Sequence, residues 1–95
     1  MSTMLVTSEE LNNFAMQIKA SQNEVQSVFE QMKSRMNYAA SIWQSPASSS
    51  LQEQFASLTP VFASYIQTLE NYVQYLSSTA AAYAEQEELL KAMSA

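Results

Sequence analysis

The amino-acid sequence predicts an all-α protein: an antiparallel helix-turn-helix hairpin, two copies of which close into a four-helix-bundle dimer. Three observations carry this. The 95 residues contain no glycine, and Ala, Gln, Glu, Leu and Met, which lose little side-chain freedom in a helix, are abundant. Apolar side chains recur every seven residues along both halves. One polar break, Trp43-Gln-Ser-Pro-Ala-Ser-Ser-Ser50, separates the halves.

The first helix is expected over about 8–43. Thr7 can cap it while Glu10, three residues on, reaches back to the cap, and Val6 can pack on Leu11 as a hydrophobic staple. Three heptad rows follow: Leu11, Ile18, Val25, Met32, Ala39; then Phe14, Ser21, Val28, Arg35, Ile42; then Ala15, Gln22, Phe29, Met36, Trp43. Together they make one broad apolar stripe, wider than a two-stranded coiled-coil seam. The turn falls at about 43–47. Pro46 pushes Ser45 toward extended backbone, which suits Ser45 as an N-cap with Pro46 in the first helical position, where a missing N–H costs nothing. A start at a later Ser, with 45–49 as a looser loop, is the alternative.

The second helix is expected over about 47–90, one domain with the first. Leu51, Leu58, Tyr65, Tyr72 and Thr79 form one row; Phe55, Phe62, Leu69, Leu76, Tyr83 and Leu90 form another; Ile66, Val73 and Ala80 widen the stripe. Pro60 removes a backbone hydrogen bond and crowds the carbonyl of Ala56, so a kink or short break is expected there. Residues 91–95 have few partners and are expected to fray; Glu85, Glu87 and Glu88 oppose the helix dipole and are expected to loosen the last turns.

Two such helices alone leave wide apolar surface in water, more than a monomer normally tolerates. A second hairpin covers it. The expected dimer core comprises Leu11, Phe14, Ile18, Val25, Phe29 and Met32 of the first helix with Phe55, Leu58, Phe62, Tyr65, Leu69, Tyr72 and Leu76 of the second. The partner is another copy of the chain, on a two-fold axis, or a different but similar chain; periodicity does not choose between them.

Composition narrows the function. With no Cys, His, Asp or Gly, neither a zinc finger, a thiol nucleophile, a Ser–His–Asp triad nor a glycine-rich phosphate loop can be built. The clusters Glu9–Glu10 and Glu85–Glu87–Glu88 read as solvated faces, because adjacent helical residues point apart and no His accompanies them. No catalytic residue, cofactor or metal is expected, and the protein is not expected to be an enzyme. A net charge of -5 argues against nucleic acid. No run reaches the ~18–20 apolar residues of a membrane span, and Met1-Ser-Thr-Met-Leu-Val6 has neither the basic nor the apolar region of a signal peptide.

Four features together resemble the WXG100, or ESAT-6-like, family over nearly the whole chain. They are Thr-Ser-Glu-Glu-Leu at 7–11, Trp43 at the turn, Glu-Gln-Phe-Ala-Ser-Leu-Thr-Pro at 53–60, and Tyr-Ala-Glu-Gln-Glu at 83–87. The third is similar to the single-gene, homodimeric members of Firmicutes-type bacteria. The resemblance implies a protein made in the cytoplasm and exported by a type VII (ESX) secretion system without a cleaved signal peptide, recognised by an ATPase of the FtsK/SpoIIIE type, and able to carry other substrates. Its partner is then itself or a paralogous WXG100 chain. It implies that Trp43, Ser45, Tyr83 and Glu87 form the secretion signal, with Tyr83 and Glu87 in the key places of the family's Tyr-x-x-x-Asp/Glu motif. One departure stands out: the family's Trp-x-Gly is here Trp43-Gln44-Ser45, and Ser before Pro suits an extended cap rather than a left-handed turn.

Each of these residues has a plainer reading: Trp43 as the lid of the core, Tyr83 as a core-edge aromatic, Glu87 as a solvated charge. Two rival functions also stand. A membrane-active amphipathic hairpin is disfavoured by the acidic charge, since such helices usually carry Lys and Arg on the polar face. An intracellular adaptor or chaperone would use the same stripe to grip another helix.

Overall fold

The computed structural model describes residues 6–94. The expectations about residues 1–5 and about Ala95 lie outside the described residues. Two helices account for almost all of the rest: α1, Ser8–Ile42, and α2, Pro46–Met93, joined as a hairpin.

The start of α1 is set by its own first turn. Glu10 N–H donates to Thr7 Oγ1 at 3.1 Å, and Thr7 N–H donates back to Glu10 Oε1 at 3.4 Å. This reciprocal box satisfies donors that the helix itself leaves open. Leu11 N–H closes the first full turn on the Thr7 carbonyl. At the other end the Trp43 N–H still donates to Ala39 O at 2.9 Å, one residue past the end of the helix.

The turn is built on the extended Ser–Pro cap. Ser48 N–H donates to Ser45 Oγ at 3.1 Å, and Ser49 N–H donates to the Ser45 carbonyl at 3.0 Å. Ser45 is therefore the N-cap and Pro46 the first helical residue. No described residue has positive φ, so this turn needs no glycine. The looser loop over 45–49 does not form. Ser45→Ala is expected to cost ~1 kcal/mol, and Ser45→Gly only a few tenths. Equilibrium urea unfolding of the two variants checks that order.

The helix α2 is unbroken through Pro60. Ala56 and its neighbours up to Pro60 are exposed, so the carbonyl that Pro60 leaves without a donor faces water, and no break is needed to satisfy it. Several Ser and Thr hydroxyls inside the helices, including Ser57 on Gln54 O and Thr79 on Tyr75 O, bond back to the preceding turn. That keeps them from competing with the helix. The helix α2 runs to Met93, past the end expected at about residue 90. Ser94 donates through its N–H and Oγ to Leu90 O at 3.1 and 2.9 Å, and Lys91 puts a positive charge in the last turn. These offset the acidic run before them.

By their contacts the residues fall into two compact units. The turn unit is Ser21–Thr68; the terminal unit holds α1 up to Ala20 and α2 from Leu69. In the turn unit Phe29 stacks on Phe62 (centroids 3.9 Å, planes at 8°) and on Phe55 (5.5 Å, 15°). Gln52 Nε2 donates to Met36 O at 2.9 Å. In the terminal unit Ala15, Leu76 and Ala80 are buried, and Lys19 pairs with Glu70 at 2.7 Å. That ion pair is half exposed and contributes at most ~1 kcal/mol. In each unit, partners lie farther along α2 as they approach the start of α1, which is the antiparallel order.

Candidate functional site

On α1 one heptad row is turned most fully into the hairpin. Ala15, Gln22 and Phe29 are buried and Met36 is half-buried. On α2 two rows meet it: Ser48, Phe55, Phe62, Leu69 and Leu76, and beside them Gln52, Ile66, Val73 and Ala80, all buried or half-buried. The row Leu51, Leu58, Tyr65, Tyr72 remains exposed, as do Phe14, Val25, Val28 and Met32 on α1. The broad stripe is thus divided into an inner part used by the hairpin and an outer part left over.

In the turn unit part of the leftover surface forms grooves over the Phe29 and Phe62 rings. Val25, Val28 and Met32 flank a groove of about 410 Å³ floored by Phe29 and Phe62. Met32, Leu58, Val61 and Tyr65 bound a second groove of about 290 Å³ on the same two rings. A further groove of about 260 Å³ is lined by Gln26, Glu30, Lys33, Thr59, Ala63, Ile66 and Gln67 with the two rings. The first two grooves are apolar except for Glu24 at the edge of the first; the third is mixed and charged. Of the expected dimer-core residues in this unit, Phe29 is buried and Phe55 and Phe62 half-buried by their own chain, while Val25, Met32, Leu58 and Tyr65 stay exposed. In the terminal unit Leu76 is buried, Leu11, Ile18 and Leu69 are half-buried, and Phe14 and Tyr72 are exposed.

The expected secretion-signal residues fall in both units. Trp43 and Ser45 belong to the turn unit. Trp43 is 45% exposed, and Ser45 is engaged as the cap of α2. Tyr83 and Glu87 belong to the terminal unit, one turn apart on α2. Tyr83 continues the row of Phe62, Leu69 and Leu76 but is 40% exposed.

Glu87 is not a free solvated charge. Its Oε1 accepts from Ser8 Oγ at 2.6 Å, and its Oε2 accepts from the Ser8 backbone N–H at 3.0 Å. These two bonds, the hydroxyl first, hold the Glu87 carboxyl below the ordinary carboxylate range. The contribution of the clasp is therefore complete above the ordinary carboxylate range and is lost only as pH falls through the lowered value of the folded chain. Ser8 is a residue that sequence reasoning missed: its position after a Thr cap is legible, but nothing local ties it to a carboxylate 79 residues away.

Among the described residues no cluster of acidic groups could hold a metal, and no helix is long and apolar enough to cross a membrane. A family model described as "Proteins of 100 residues with WXG" matches residues 3–88. Among solved structures, the chain is similar to a secreted protein, EsxB, of Bacillus anthracis str. Sterne, with a TM-score of 0.81 and 22% identity over 92% of this chain and 99% of that one. A mutant of the same protein gives 0.81 and 23%, covering 92% and 97%. The wild type in another crystal form gives 0.78 and 23%, covering 87% and 89%. At these identities the likeness establishes a common fold. Comparison with curated protein sequences gives no match.

Proposed function

The chain belongs to the WXG100 family, and on that premise we propose that it is a secreted, non-enzymatic substrate of a type VII secretion system that works as a dimer of helical hairpins. The family is one of non-enzymatic secreted proteins. In this reading the chain is made in the cytoplasm, pairs with a second copy, and leaves through a machine driven by an FtsK/SpoIIIE-type ATPase. Carriage of other substrates is a further role of the same dimer.

The observation that carries the dimer is the apolar side of the turn unit. Val25, Val28, Met32, Leu58, Val61 and Tyr65 bound adjoining grooves there, and each of the six is exposed in the single chain. The side that carries Glu30, Lys33 and Gln67 is polar enough to stay in water. A mainly apolar surface of this kind, with Glu24 at its edge, is what protein interfaces cover. A two-fold axis through it makes four helices around one core, with α1 and α2 of each copy contributing equally. Sedimentation equilibrium of the purified chain is expected to give twice the chain mass; a monomer at high concentration would refute the pairing.

Export is supported by the family and by the half-exposed Tyr83 with Glu87 one turn on, an aromatic and an acid that a groove on a partner can read together. Tyr83→Ala is expected to leave the dimer intact and to remove the protein from the culture medium. Deleting the gene for the secretion ATPase should do the same, and the exported wild type should keep its N-terminus. Wild-type amounts of the Tyr83→Ala and Glu87→Ala proteins in the medium would count against the signal.

A further inference from the structure

We infer that Ser8 is a positioning residue for Glu87, so that the two ends of the chain form one recognition element in which the first turn of α1 presents the acid of α2. This rests on the reading of Tyr83 and Glu87 as an export signal and adds to it a residue outside that motif.

The geometry is specific. Two donors from one residue reach two different oxygens of the same carboxylate, at 2.6 and 3.0 Å. Such a fork fixes the rotation of the carboxylate plane, which a single bond leaves free. Ser8 is the first residue of α1, so its N–H has no acceptor within the helix, and bonding Glu87 takes nothing from the backbone ladder. A negative group is also favoured at that helix end. Two acids accept from adjacent residues at this end of α1. Glu10 serves Thr7, and Glu87 serves Ser8. The other ionisable groups on these two segments are Glu9 on α1 and Tyr83, Glu85, Glu88 and Lys91 on α2.

Glu87 remains exposed, and each of its oxygens keeps lone-pair capacity beyond the Ser8 bonds. A carboxylate on a free side chain must give up its rotamers when a partner binds it. Here the rotamer is already set, and the same contact keeps the group ionised. Preordering one long side chain is worth about two- to tenfold in affinity. Tyr83, one turn earlier on the same helix, is held at a fixed spacing from the acid, so a partner meets both in one arrangement.

The test is a series at position 8. Proline is well suited to the first helical position, so Ser8→Pro deletes both donors while leaving α1 able to form. Ser8→Ala deletes the hydroxyl alone, and Ser8→Thr keeps both donors. The expected result is that the Glu87 carboxyl, followed by carbon NMR during a pH titration, moves up toward the ordinary carboxylate range in Ser8→Pro. It should move part of the way in Ser8→Ala and stay at the wild-type position in Ser8→Thr. Circular dichroism should be unchanged throughout. Export is expected to fall about two- to tenfold in Ser8→Pro and to recover in Ser8→Thr. A Glu87 titration indifferent to Ser8→Pro would overturn the inference. So would wild-type export of Ser8→Pro from cells in which Glu87→Gln is not exported. Normal export of both Glu87→Gln and Tyr83→Ala would instead overturn the export reading, and the shared recognition element with it.

Discussion

Replacing Phe29 by alanine is expected to destabilise the chain by about 3–5 kcal/mol, a large fraction of the ~5–15 kcal/mol that holds a domain of ordinary stability together. Phe29 is 8% exposed and its ring stacks on both Phe62 and Phe55. Its removal therefore takes away its own buried area and one face of contact from each of two other rings. Few large side chains of the turn unit are buried so deeply, so little is available to collapse into the space. Phe29→Leu keeps most of the volume and should cost less than half as much. Phe14→Ala, on an exposed ring in the other unit, separates loss of packing from loss of a phenyl group. Urea unfolding followed by circular dichroism measures all three. A Phe29→Ala protein within ~1 kcal/mol of wild type would mean that the stack is not the core of the turn unit.

A charge on the apolar side of the turn unit is expected to separate the two copies without unfolding either. Val28 is 55% exposed and Leu58 49%, so a glutamate at either place is solvated in the single hairpin and would be buried only in the proposed dimer. An unpaired buried carboxylate costs on the order of 3 kcal/mol. A two-fold axis brings in one from each copy, so dissociation should become easier by well over a hundredfold. Thr59→Glu supplies the same charge beside the polar groove lined by Glu30, Lys33 and Gln67 and should leave self-association unchanged. Sedimentation equilibrium distinguishes the cases. If Val28→Glu and Leu58→Glu assemble as the wild type does, this side of the turn unit is not the interface.

The legible parts of the fold are the local ones. The Thr7–Glu10 box and the Ser45–Pro46 cap could be read because every partner lies within three or four residues, and the structure forms both. The heptad rows could be read because side chains seven apart on a helix share a face whatever lies opposite. What could not be read was which part of the stripe turns inward. Val28 and Phe29 are adjacent in sequence and both apolar, yet one is exposed and the other buried. A stripe three rows wide offers a single partner helix more than it can cover, and the choice depends on how the two helices rotate against each other. The last turn of α2 was not legible either: Ser94 bonds back to Leu90 and Lys91 adds a positive charge there, small terms whose balance local sequence does not give.

The candidate site divides in the same way. Trp43, Ser45, Tyr83 and Glu87 were legible as residues of a family pattern, and Ser45 also as a cap by its chemistry. The partnership of Glu87 with Ser8 was not legible. Residue order by itself determined two helices, where they begin, the Ser–Pro turn between them and the excess of apolar surface. Those follow from hydrogen bonds and steric preferences that reach no farther than one turn of helix. Only the tertiary structure decided which row became the inside, which apolar residues were left exposed, and that Glu87 is held rather than free. Each of those depends on the register of two helices whose contacting residues lie up to 79 positions apart, and register is a property of the packed pair, set by all its contacts at once.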